Sequence, residues 1–109
     1  MYSNINKEIE IELMSYRNTR TKLADRIREH DLLELDTRLQ LEDLKMSYEE
    51  EGYKSTQAKH LAEADKQLKL KELIELEHEI NHLKGTRDFI EYKLTHLFQC
   101  YLEDDECNE

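Results

Sequence analysis

From Leu68 onward the apolar residues are Leu68, Leu73, Leu76, Ile80, Leu83, Ile90, Leu94, Leu97 and Tyr101. After Leu73 the steps alternate between three and four, with Arg87 taking one slot between Leu83 and Ile90. That spacing draws one stripe along a helix, the seam of a coiled coil. An earlier stripe runs through Ile5, Ile9, Leu13, Tyr16, Leu23, Ile27, Leu41, Leu44 and Tyr48, interrupted by Arg20, His30, Glu34 and Thr37. In the second half of that segment Leu32, Leu35, Leu39 and Met46 fall on roughly the opposite face, because each residue turns a helix by about 100°. A helix that is apolar on two sides needs two partners.

Between the stripes lies Glu49-Glu50-Glu51-Gly52-Tyr53-Lys54-Ser55-Thr56. Gly52 can end a helix in the left-handed conformation, and Ser55 or Thr56 can cap the next one. The pattern predicts an all-α fold, a long antiparallel helical hairpin of the coiled-coil type. Helix one covers about residues 4–50, with Ser3 or Asn4 as its cap. A turn covers about 51–55, helix two about 56–103 and an acidic tail 104–109, all within a single domain 1–109. With the turn near Gly52, Ile27 faces Leu76, Leu23 faces Ile80, Leu13 faces Ile90 and Ile9 faces Leu94. Glu34 then meets Lys69, Arg26 meets Glu77, and Glu10 meets Lys93. A register moved by half a heptad brings Glu34 onto Glu72 and Lys22 onto Lys84, so charge matching selects the first. The competing arrangement is one unbroken helix paired in parallel; Ser55 and Thr56 behind the glycine favour the hairpin.

A lone hairpin leaves the second apolar face wet. The expectation is a homodimer in which two hairpins form a four-helix bundle, with Leu32, Leu35, Leu39, Met46, Leu70, Ile74, Phe89 and Tyr92 at the partner or dimer interface. Exposed aromatics such as Phe89 and Tyr92 are good anchors for a protein partner.

Composition supports helices. Of 109 residues, 39 % are charged, Pro and Trp are absent, and the only glycines are Gly52 and Gly85. No run rich in Val, Ile and Thr predicts a strand, and Val does not occur. The net charge of −10 weighs against direct nucleic-acid binding and against anionic membranes. Cys100 and Cys107 read as reduced thiols, which suggests a cytoplasmic protein. A basic belt (Arg17, Arg20, Lys22, Arg26, Arg28, with Lys84 and Arg87) contrasts with an acidic patch of Glu49, Glu50 and Glu51 at the turn and Glu103, Asp104, Asp105 and Glu106 near the end. The expected function is a non-enzymatic scaffold or adaptor without a cofactor, binding itself and another protein. The alternative is a small acidic inhibitor that occupies a basic surface of a nucleic-acid-processing enzyme.

One stretch carries chemistry. His78-Glu79-Ile80-Asn81-His82-Leu83-Lys84-Gly85-Thr86-Arg87-Asp88 fits H-E-x-x-H-x-x-G-x-x-D and resembles the zinc-binding signature of metzincin metalloproteases over 11 residues. The resemblance implies that His78, His82 and Asp88 hold zinc while Glu79 activates water. In that family the helix stops at the glycine. Here the apolar phase runs through Gly85, and a continuing helix carries Asp88 about 9 Å beyond His82. His78 and His82 then form a solvent-facing pair with weak metal affinity, and no catalytic residue is assigned. Arg87 to Leu94 resembles the dimerisation helix of MerR-type regulators, which implies a helix-pairing surface.

Overall fold

Nothing in residues 2–50 breaks a helix, and the outcome is one uninterrupted element. The computed structural model describes the backbone of residues 2–107 and the side chains of residues 4–103. It contains α1 (Tyr2–Glu50), α2 (Ser55–Asp65) and α3 (Gln67–Cys107), with no strand among the described residues. The all-helical chain fits a helical hairpin. It divides into two compact units, one of Met1–Asp25 with Ile80–Glu109 and the other of Arg26–Glu79. In each unit two helical segments pair antiparallel.

The chain reverses at Gly52, the residue of positive φ (105°). The Tyr53 amide donates to the Tyr48 carbonyl at 3.1 Å and the Gly52 amide to the Glu49 carbonyl at 3.0 Å. This is the hydrogen-bond pair of a Schellman motif. The apolar contact that accompanies such motifs is also present, since the Tyr48 and Tyr53 rings meet edge-on with centroids 5.7 Å apart. The cap of the next helix differs from expectation. Lys54, not Ser55 or Thr56, is its N-cap, and no side chain bonds the free amides.

The second helical segment is two helices rather than one. Its inward positions near the turn are Ala58, Ala62 and Lys66, two four-residue steps in succession, before Lys69 and Leu73 restore the alternation. Each four-residue step overshoots a 3.6-residue turn by about 40°, and consecutive overshoots must be absorbed somewhere. They are absorbed at Lys66, whose φ of −109° and ψ of 22° separate α2 from α3. The fully buried alanines Ala58 and Ala62 were invisible to a search for large apolar residues. At its far end α3 continues to Cys107, past the expected stop near residue 103.

In the unit formed by Met1–Asp25 and Ile80–Glu109, Ile9 packs with Ile90 and Leu94, and Ile5, Leu13, Tyr16, Leu97 and Tyr101 lie against them. Leu23 packs with Ile80 and Leu83. The pairs expected across the seam are therefore in place here. The flanking ion pairs have shifted. Lys93 takes Glu12 rather than Glu10 at 3.3 Å, Arg26 takes Glu79 rather than Glu77 at 2.8 Å, and Lys69 takes Asp36 rather than Glu34 at 3.0 Å. Every displaced acid lies two residues later in the chain, so these flanking pairs are centred between Gly52 and Tyr53, one residue later than expected. The Lys69 ammonium holds the Asp36 carboxyl below its usual range. Such exposed pairs contribute only about 0.2–1 kcal/mol each, so they adjust to the turn rather than dictate it.

Gly85 sits inside α3, and a Cβ added there meets nothing within 4 Å. Gly85→Ala is therefore expected to raise stability by about 0.5–1 kcal/mol, because alanine loses less backbone entropy in a helix. Gly52→Ala has the same open space but a positive φ, and it should cost about 1–2 kcal/mol. Urea titration followed by circular dichroism reads both signs.

Candidate functional site

The Arg26–Glu79 unit is apolar on two sides, with Leu33, Leu41, Leu44, Leu61, Leu73 and Leu76 half-buried and a second apolar set outside. In α1 the side chains of Ile9, Tyr16, Leu23, His30, Thr37 and Leu44 recur every seven residues and all lie buried or half-buried. The last three members of this column are His30, Thr37 and Leu44, two of them polar. Among its described residues the fully buried set is Ala58, Ala62 and Thr37. Outside it stand Leu32 (64 % exposed), Leu35 (52 %), Leu39 (53 %), Met46 (60 %) and Ile74 (54 %). Leu70, expected on the same outer face, is half-buried instead. Leu68, expected in the seam, is 83 % exposed because the phase slips at Lys66, and Ile27 is exposed as well.

Thr37 is 1 % exposed, and its Oγ1 has no hydrogen-bond partner. A buried hydroxyl without a partner costs about 1–3 kcal/mol of desolvation. Thr37→Val removes that cost at nearly constant shape and is expected to stabilise the protein by about 1 kcal/mol, read as a higher urea midpoint.

His30 is the chemically richest residue of the unit. Its side chain is 14 % exposed and surrounded by carboxylates. Nδ1 lies 3.4 Å from Asp31 Oδ1 and 3.6 Å from Glu34 Oε2, both on α1, and Nε2 lies 3.3 Å from Glu77 Oε1 on α3. Burial pushes the His30 pKa down. Hydrogen bonds to Glu77 and Asp31, with the charges of Glu34 and Glu77, outweigh burial and raise it above the ordinary histidine value. Glu34 uses its other oxygen, Oε1, to accept from Arg38 Nη2 at 3.1 Å. In the sequence His30 and Glu34 interrupt the stripe, the expected register pairs Glu34 with Lys69 across the hairpin, and Asp31 with Glu34 suggests a local cap and kink; α1 runs through unbroken instead. The signal available was the i, i+1, i+4 spacing of His30, Asp31 and Glu34, which places three donors within one helical turn.

The metzincin-like stretch takes another geometry from the one the resemblance implies. α3 runs unbroken through Gly85, His78 and His82 are exposed, and Asp88 accepts from Arg87 at 3.1 Å. His78, His82 and Asp88 do not converge. Among the described residues the group of three metal-capable side chains that does is His30, Asp31 and Glu34.

In the other unit Phe89 (58 % exposed) and Tyr92 (73 %) face outward, as do Ile11 and Met14. The Lys93 ammonium sits 5.0 Å from the Phe89 ring centroid. Tyr92 lines a groove with Ile11, Glu12 and Leu97. The acidic residues Glu49, Glu50, Glu51 and Glu103 are exposed, while the side chains of Asp104, Asp105 and Glu106 lie outside the described residues. Of the basic belt, Arg26 is bound to Glu29 and Glu79, and Arg20 lies 5.7 Å from the Tyr16 ring centroid. No described helix is long and apolar enough to cross a membrane.

The chain matches no protein-family model, no curated protein and no solved structure.

Proposed function

We propose that the protein is a non-enzymatic interaction module, a coiled-coil scaffold or adaptor that works as a homodimer. The observation that carries this reading is that the Arg26–Glu79 unit leaves an apolar outer face uncovered. It buries two alanines and a threonine while Leu32, Leu35, Leu39, Met46 and Ile74 stay in water. A helix pair of this kind gains little from its own seam, at about 25 cal/mol per Å² of apolar surface removed from water. Covering the outer face supplies what the seam lacks. The occupant that fits is a second copy, since two identical apolar faces are complementary to each other and four helices enclose what two cannot. Phe89 and Tyr92, in the other unit, are the proposed anchors for a further protein partner.

Sedimentation equilibrium of the full chain at low and high salt tests this reading. A dimer is expected, and it should tighten as salt rises, because each copy carries a net charge of −10 and the apolar contact forms against that repulsion. A monomer at all salt concentrations would refute it. The second reading, an acidic inhibitor of a nucleic-acid-processing enzyme, is favoured by the exposed run Glu49-Glu50-Glu51 at the turn. It predicts the opposite response, a complex with a basic partner that weakens steeply with salt.

A further inference from the structure

The geometry points to a binding site for one divalent transition-metal ion, of the zinc class, on His30 Nδ1, Asp31 and Glu34, with Glu77 orienting the imidazole from its other nitrogen. The distances are those a metal ion can use. Two carboxylate oxygens face the same nitrogen, at 3.4 and 3.6 Å. The first is at the long end of a hydrogen bond and the second is beyond one, against a usual range of about 2.7 to 3.2 Å. A single Nδ1 proton also points at one oxygen, not two. Both distances instead match the edge of a tetrahedron of ligands about 2.0–2.1 Å from a central ion, which is roughly 3.4 Å. The three ligand atoms all lie within 4.8 Å of one another, so closing the third edge needs a rotamer adjustment, chiefly of the exposed Asp31.

The surroundings complete the arrangement. Metal-bound imidazoles commonly donate their second N–H to a carboxylate, which fixes the tautomer and raises ligand basicity. Glu77 Oε1, 3.3 Å from Nε2, occupies that place from α3. Arg38 holds Glu34 through Oε1 at 3.1 Å and leaves Oε2 turned toward His30. A neutral imidazole with two carboxylates presents two negative charges to a dication. The imidazole nitrogen selects transition metals over magnesium and calcium, which take oxygen ligands. The site lies within the Arg26–Glu79 unit.

Calorimetric titration of the chelator-stripped full chain with Zn²⁺ tests the assignment. The expected result is one tight site per chain. His30→Gln should weaken it by about 100-fold or more, and Glu77→Gln should weaken it by about tenfold through loss of orientation. A variant carrying both His78→Gln and His82→Gln should keep it. Asp31→Asn with Glu34→Gln removes the oxygen ligands at exposed or half-exposed positions, and should abolish tight binding while far-ultraviolet circular dichroism stays helical. This variant decides the matter if His30→Gln fails to fold. Absence of a tight site, binding unchanged in both the His30 and the Asp31/Glu34 variants, or binding lost with His78 and His82, would each overturn the assignment.

Discussion

Leu23→Asp is expected to unpair the helices of the Met1–Asp25 and Ile80–Glu109 unit. Leu23 is 5 % exposed and packs with Ile80 and Leu83, one of the two buried clusters of this unit. Deleting a leucine side chain from such a site costs about 2–5 kcal/mol. The aspartate adds the cost of burying a carboxylate with no cation assigned to it, or of protonating that group at neutral pH. A chain of this size has only about 5–15 kcal/mol in total. Thermal melting followed by circular dichroism should therefore show a midpoint lower by roughly 15 °C or more, against a smaller drop for Leu23→Ala. Met14→Asp serves as the control: Met14 is 66 % exposed, and its change should stay within about 0.5 kcal/mol. An unchanged midpoint for Leu23→Asp would mean that the seam through Leu23 does not hold the helices together.

The second stripe was the most legible part of the chain. Leu73, Leu76, Ile80, Leu83, Ile90, Leu94 and Leu97 are all buried or half-buried, because unbroken three-four spacing leaves a helix a single apolar side to hide. Gly52 was legible for a comparable reason, since few other residues adopt its φ of 105°. The first stripe was legible in its phase as well, with Ile27, which is exposed, as its exception. His30 and Thr37 hold inward slots although Leu32, Leu35 and Leu39 are the greasier side chains. The strict seven-residue column from Ile9 through Tyr16 and Leu23 sets the helix phase, and a continuous helix cannot change phase midway. Leu68 was misplaced because the break at Lys66 comes from small inward alanines, which carry little periodic signal.

The His30 group was missed for a related reason. A histidine at a seam position reads as a flaw in a hydrophobic pattern, and only the fold supplies Glu77 from α3 at its second nitrogen. The same displacement has two consequences. It seats a polar residue where it can be held by carboxylates, and it turns three leucines and a methionine outward. A hairpin that seats polar residues in some inward slots and leaves leucines outside over one stretch gives up stability as a monomer and gains a surface for assembly.

Leu35→Glu isolates that surface from the hairpin itself. Leu35 is 52 % exposed, so a glutamate there meets water in the single chain and should leave the helical signal and the melting behaviour of the isolated hairpin nearly unchanged. In the proposed dimer the same residue is buried, and a twofold interface counts the substitution twice. Each leucine removed from a buried contact costs about 1.5–3 kcal/mol, before the cost of desolvating two carboxylates. The dissociation constant should then rise by about 10³-fold or more. Sedimentation at concentrations where the unaltered protein is dimeric should show a monomer of full helicity. Leu39→Glu should behave alike, because Leu39 lies one turn further along the same face at 53 % exposure. An unchanged dimer would place the interface elsewhere, with Phe89 and Tyr92 the next surface to alter. A loss of helicity would instead mean that Leu35 supports the hairpin despite its exposure.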